Sequence, residues 1–91
     1  MSDLLNSKVR WTQHGKSIYG QIVAVVPANT KLIDLKDFKF DNYSTKPIGD
    51  PKSAPARNHE SYLVEVLIGE RGIRTLYWPN AGILEPIFDG R

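Results

Sequence analysis

The sequence predicts an all-β domain: a small barrel of five short antiparallel strands, interrupted by one long insertion. Three observations predict it. Residues 60–79 are the densest run of strand-forming residues in the chain, broken in the middle by Gly69-Glu70-Arg71-Gly72. Residues 8–26 hold two further runs rich in β-branched and aromatic residues, separated by a glycine-containing turn. Residues 28–59 contain Pro47, Pro51, Pro55 and Gly49 among many Ser, Thr, Asn and Asp residues, which is loop chemistry.

Taken in order, Asp3-Leu4-Leu5-Asn6 could form a helical turn or lie along the barrel. Lys8-Val9-Arg10-Trp11 alternates polar and apolar, the period of a half-buried strand, with Val9 and Trp11 facing inward. Thr12 to Lys16 is a turn in which Gly15 is free to take positive φ. The second strand runs from about Ser17 to Val26. Gly20 inside it marks a bulge, a bend or a close backbone approach, and a small barrel needs such a bend so that one strand can serve two sheets. Pro27 ends the strand because it has no N–H to donate.

Within the insertion, Leu32, Leu35 and Phe38 are spaced for a helix face, whereas Phe38-Lys39-Phe40 alternates as a strand would. A short helical turn near 33–38 followed by an extended piece is expected. In the hairpin, Tyr62, Val64, Val66 and Ile68 share one face of the first arm, and Leu63, Glu65 and Leu67 the other. Both faces are largely apolar, so this strand should be central and covered on both sides. Ile73 to Trp78 is the return arm. Pro79-Asn80-Ala81-Gly82 suits one turn of 3₁₀ helix, and Ile83-Leu84-Glu85 a last strand ended by Pro86. The tail from Ile87 should fray unless Phe88 docks. Strand, strand, insertion, hairpin, 3₁₀ turn, strand is the layout of an SH3-like barrel, and closure would solve the edge-strand problem in so small a chain. An OB-like barrel is the alternative.

Length and composition narrow the functions. The 91 residues make one domain, 1–91, with the insertion at 28–59. A chain this short buries only roughly 60–65% of its unfolded surface, so each large apolar side chain counts. There is no cysteine, which excludes disulfides, thiolate metal sites and cysteine nucleophiles. Small secreted domains commonly need such staples, so the cytoplasm is the expected compartment. No apolar run approaches the ~18–20 residues that span a bilayer, and the first residues lack the basic-then-apolar pattern of a signal peptide. The net charge of +2 is mild for a dedicated duplex-DNA binder. Residues 1–26 carry three basic and one acidic side chain, 27–60 six and five, 61–91 three and four, so only the first strands lean basic.

Val9-Arg10-Trp11, then Gly20 to Val25, then the hairpin, resembles the KOW, Tudor and chromo-barrel type of small SH3-like domain. The resemblance covers about 45 residues and many unrelated barrels share it. Val-Arg-Trp-Thr, Ile-Val-Ala-Val-Val-Pro-Ala, His-Glu-Ser-Tyr-Leu-Val-Glu-Val and Leu-Tyr-Trp-Pro, in this order, resemble short uncharacterised proteins of phages and prophages. In those relatives the segment between the second and third strands is variable. That resemblance implies a phage or mobile-element context, hence a host cytoplasm, but carries no activity and transfers no site.

No catalytic constellation emerges. His14 and His59 are the only histidines, 45 positions apart, with no compact metal-ligand spacing around them. His59-Glu60-Ser61 sets three catalytic residue types side by side, but adjacent strand residues point to opposite faces and cannot form a relay. No P-loop, dinucleotide or metalloprotease motif occurs. No enzyme, cofactor or metal is expected.

Binding is the better expectation. Trp11, Tyr19, Tyr62, Tyr77 and Trp78 all lie on strands, where Tudor-like barrels can gather an aromatic cage; the alternative is that a thin core needs large side chains. Tyr77 and Trp78 alternate, so at least one should face outward as a contact platform near Arg74 or Arg10. Lys8, Arg10, Lys16, Arg71 and Arg74 could share one face and hold phosphates, or be ordinary solvated charges. In the insertion, Leu32, Ile33, Leu35, Phe38, Phe40 and Tyr43 must pack on the barrel or meet a partner. The first candidate is therefore a non-enzymatic module contacting a host protein, as adaptor or anti-defence inhibitor. The second is a nucleic-acid-binding barrel. The binding residues expected are Arg10, Lys16, Arg71, Arg74, Tyr77, Phe38, Phe40 and Tyr43, in a monomer or a homodimer paired through an exposed strand edge.

Overall fold

Two hairpins set the architecture. In the first, β1 (Lys8–Gln13) and β2 (Lys16–Val26) pair from Gln13↔Lys16 onward, leaving His14-Gly15 as the whole loop. Both loop residues have positive φ, 53° and 78°, the type I′ geometry whose twist matches the strands it joins. In the second, β3 (Ser61–Ile68) and β4 (Ile73–Tyr77) meet at Ile68↔Ile73 around the expected turn, with Gly69 and Gly72 both at positive φ. β2 pairs with β3, and β5 (Glu85–Pro86) with β1, giving one five-stranded antiparallel sheet in the order β4-β3-β2-β1-β5. The computed structural model describes residues 6–36 and 38–87. Of the tail expected to fray unless Phe88 docks, Ile87 is held, its N–H donating to the Lys8 carbonyl at 2.9 Å; Phe88 onward and the turn through Asp3, Leu4 and Leu5 lie outside the described residues.

β2 is the longest strand and the middle one, and it changes sides. Ile22 pairs with Val64, but Ala24 pairs with Leu63, so a β-bulge at Val23 shifts the register. Before the bulge Ile22 joins Val9, Trp11, Val64 and Val66 in one core. After it, Val26 joins Leu63 and Leu76 in a second core on the opposite face. The bend expected at Gly20 thus falls at Val23. Gly20 answers to a different constraint: a Cβ there would lie 2.5 Å from Val64 Cγ1 and 2.6 Å from the Glu65 carbonyl oxygen. Only glycine allows so close an approach to β3.

The closed barrel expected from the sequence is instead an open, coiled sheet. Among the described residues no ladder joins β4 to β5. The sheet curls nonetheless. Trp11 on β1 and Tyr77 on β4 touch edge-on with ring centroids 5.6 Å apart, although two strands intervene. In a flat sheet those strands would be roughly 14 Å apart. The first core fills this concave side. Closure stops short because β5 is two residues long and pairs with β1 only at Val9↔Pro86 and Arg10↔Glu85. It follows a 3₁₀ turn at Ala81–Ile83, so turn and strand both begin about two residues later than the sequence suggested.

The insertion covers part of the convex side. It has two 3₁₀ turns, Leu32–Asp34 and Phe40–Asn42, rather than one helical turn over 33–38. Leu35 is already extended, at φ −70° and ψ 121°. The extended link spreads the apolar residues over the sheet: Leu32 is fully buried, and Leu35, Phe38, Phe40, Tyr43 and Ile48 pack around Val26, Leu63 and Leu76. The ends of the insertion meet in a neck, where the Asn29 N–H donates to the Arg57 carbonyl at 2.6 Å. Its middle lies on the outer edge of β4. The Ser44 N–H donates to the Arg74 carbonyl (2.8 Å) and the Leu76 N–H to the Ser44 carbonyl (2.9 Å), forming a one-residue parallel bridge to Thr75. That contact occupies edge groups through which a second copy would pair.

Candidate binding site

The site is built outward from β4. On β4 Arg74 shares a face with Leu76 of the convex core and is opposite Thr75, so its side chain lies on the convex face beside Glu65 of β3. Its Nε donates to Glu65 Oε2 and its Nη2 to the Tyr43 hydroxyl at 3.0 Å, with the guanidinium 4.6 Å from the Tyr43 ring centroid. The hydrogen bond to Glu65 chiefly raises the Arg74 pKa above the ordinary arginine value. Arg74 thus fixes the insertion's aromatic residue to the sheet by charge, hydrogen bond and cation–π attraction together.

Tyr43 anchors two further rings. Phe38 stacks on it at 5.4 Å with planes 8° apart, and Phe40 meets Phe38 edge-on at 4.9 Å. Each ring is half-buried: one side packs on the second core and the other borders open space. That space is a groove of about 870 Å³, lined by Ile33, Phe38, Phe40 and Tyr43 with Asp41, Asp50, Lys39 and Lys52 among its polar residues. Its walls are fixed rings and its charges are of both signs, the composition of a surface that can exclude water and still be selective.

A second arginine secures the other end of the insertion. Arg57 lies 3.8 Å over the Trp78 ring and donates to the carbonyls of Trp78 (2.7 Å) and Pro79 (3.0 Å). Burial lowers its pKa from the ordinary arginine value. Trp78 in turn donates from Nε1 to the buried Ser61 hydroxyl at 2.8 Å. The groove is therefore held between two arginine contacts that cross between insertion and sheet.

The residues expected to bind divide into three groups. Phe38, Phe40, Tyr43 and Arg74 come together as described. Tyr77 does not join them: its ring packs on Trp11 in the concave core, while Trp78 faces the other side under Arg57. Both side chains are half-buried, and both border a smaller groove of about 240 Å³ beside Arg57, apart from the three rings. Nor do the five strand aromatics form one cage: Trp11, Tyr62 and Tyr77 pack in the concave core, Trp78 packs on the convex one, and Tyr19 stands exposed on the convex face. Arg10 pairs across the sheet with Glu85, its Nη2 donating to Oε1 at 2.6 Å, and that bond chiefly raises its pKa. Lys16 and Arg71 sit in or beside the two hairpin turns at the same end of the sheet. Arg10 and Arg74 are thus bound to carboxylates, which leaves a phosphate backbone less to contact than the sequence suggested.

His14 forms the β1–β2 turn and His59 precedes β3, so they lie at opposite ends of β2, both exposed. Among the described residues no three His, Asp or Glu side chains are grouped as a metal ion requires. No helix among them is long and apolar enough to cross a membrane. No family model, curated protein or solved structure matches the chain, so the site stands on its own geometry. The sequence named Ile33 among the insertion residues that must pack or meet a partner, but did not point to Arg57 or to the structural role of Ser61.

Proposed function

We propose that this protein is a non-enzymatic binding module that takes a protein partner in the groove between Ile33, Phe38, Phe40 and Tyr43. One observation carries the proposal: Phe38 packs on both Phe40 and Tyr43, Tyr43 is held by Arg74, and all three rings border an 870 Å³ groove. Rings already ordered in the free protein lose little freedom on binding, which is what anchors of protein interfaces require. An SH3-like architecture is part of the proposal. The strand order, the coiling that brings Trp11 to Tyr77 and the 3₁₀ turn before β5 support it. The phage resemblance of the strand segments makes a host-directed adaptor or inhibitor the concrete version, acting in the host cytoplasm.

Replacing the insertion by a flexible linker would not test this, because Leu32 and its neighbours build the second core. Point substitutions in the groove do. Affinity capture from a bacterial lysate should retain one discrete protein, resist nuclease treatment, and be lost in an Ile33→Ser, Phe40→Ser double variant whose melting curve remains cooperative. Capture that nuclease abolishes would instead support the nucleic-acid alternative. Capture untouched by the double variant would remove the groove from consideration.

A further inference from the structure

The sheet stops short of closing, and its seam holds a groove. Among the described residues β1 pairs with β5 only at Val9 and Arg10, so past Arg10 the outer edge of β1 has no strand beside it. The curl brings the end of β1 to the end of β4 there, where Trp11 meets Tyr77. Beside that contact Gln13 of β1, with Tyr77, Trp78 and Pro79, borders the open space of about 240 Å³. Pro47, Ile48 and Arg57 of the insertion complete the lining.

This lining offers hydrogen-bond donors and no acid. Trp11 Nε1 can only donate, so the Gln13 atom that meets it at 3.1 Å is the carbonyl oxygen, and the amide Nε2 is left over as a donor. Arg57 spends Nη1 on the Pro79 carbonyl and Nη2 on the Trp78 carbonyl, which leaves Nε. The Tyr77 hydroxyl has no partner among the described residues. No buried side-chain nitrogen or oxygen is without a partner, so these three unpaired groups all reach solvent. Arg57 is in no ion pair either, and no neighbouring charge offsets its burial. Arg10 and Arg74 have carboxylates and Arg71 is exposed to water; Arg57 is half-buried with no counter-charge. A cation taken partly out of water favours an anion beside it.

Size and charge identify the occupant. The groove is smaller than the about 300–1,000 Å³ of clefts that hold whole small ligands, so it suits one group of a larger molecule. A phosphate, with about two negative charges, would meet a single cation here. A carboxylate matches that cation in charge and can accept from Arg57, Gln13 and Tyr77 together, while Pro47, Ile48 and Trp78 give its methylene stem an apolar wall. We infer that this groove is a carboxylate-binding site, separate from the groove of the three rings, and that it takes an acidic side chain of a protein partner. Stacking on Trp78 and the two carbonyl contacts already fix the guanidinium, so little freedom is lost when the carboxylate arrives.

The full chain, labelled with ¹⁵N and kept at constant ionic strength, is titrated with acetyl-glutamate methylamide, whose one carboxylate is that of the side chain. The expected result is saturable shifts of the Gln13 side-chain amide and the Arg57 Nε–H signals. Gln13→Glu keeps an oxygen for Trp11 and puts a negative charge in the groove, so affinity should fall about tenfold or more. Tyr77→Phe keeps the ring on Trp11 and removes only the hydroxyl, for a loss of about two- to tenfold. Both variants spare the contacts of Arg57, so melting should stay cooperative, and Phe40→Ser in the other groove should bind as the parent does. Any of four results would overturn the inference: no shifts at tens of millimolar probe, equal shifts with the glutamine analogue, unchanged affinity in both groove variants, or tighter binding of a different anion at the same signals. Inorganic phosphate and acetyl-glycine are the anions compared, the second standing for a chain terminus.

Discussion

The two sides of the sheet are stabilised by different means. The buried residues of the concave core all come from strands: Val9 and Trp11 from β1, Ile22 from β2, Val64 and Val66 from β3. Simple alternation places every one of them. The convex core is composite. Val26, Leu63 and Leu76 come from strands, but Leu32 and the half-buried rings come from the insertion. Four contacts hold that cover in place: the neck at Asn29 and Arg57, the Ser44 bridge to β4, the Arg74–Tyr43 contact and the Arg57–Trp78 contact. A segment of loop composition can therefore be as much a core element as a strand, provided the sheet supplies the hydrogen bonds it cannot make with itself.

Substitutions can break this comparison or sharpen it. The largest loss is expected for Trp11→Ala, about 3–5 kcal/mol, because the ring is buried and supports Tyr77 across the curl. In a domain of this size that lowers the melting midpoint by about 12 °C or more. Leu32→Ala should cost about 2–5 kcal/mol in denaturant titration, as for a strand core residue. A change below about 0.5 kcal/mol would mean the insertion is a surface loop and the comparison fails. Gly20→Ala should cost about 1–3 kcal/mol by overpacking, and adding Val64→Ala should recover part of the loss in a double-mutant cycle. Arg57→Lys should cost about 1–2 kcal/mol, because an ammonium can neither bridge both carbonyls in one plane nor stack as well on Trp78. Hydrogen exchange should show that loss concentrated in the insertion, with the concave amides of β1 unchanged.

The concave side was legible in the sequence because its rule is local. Val9, Trp11, Val64 and Val66 announce themselves by period two, and the glycines of the second hairpin announce its turn. The bulge at Val23 was partly legible. Ile22-Val23-Ala24-Val25-Val26 has no alternation at all, as expected of a strand that feeds one core and then the other. Gly20 drew attention away from it, although the missing side chain serves contact with β3. The insertion was the least legible part. Its two 3₁₀ turns are too short to show a period, and its order depends on partners far away in sequence: Ser44 on Thr75, Tyr43 under Arg74, Arg57 on Trp78. The aromatic residues of the candidate site were recognised by type. Their convergence with Arg74 follows from the docking of the insertion on β4, and Tyr77 takes the other side by alternation with Leu76.

The neck between Asn29 and Arg57 has a practical consequence. It makes the insertion a cassette, entered and left at one point, so its length is decoupled from the register of the strands. Gly49 lies on its exposed outer stretch at positive φ, with no atom within 4 Å of where a side chain would start. Lengthening a flexible loop costs only about 0.6 kcal/mol for each doubling. A reporter peptide or a foreign recognition loop grafted at Gly49 should therefore leave both cores intact, and the same tolerance gives natural variation a place to change what the module displays without rebuilding what displays it.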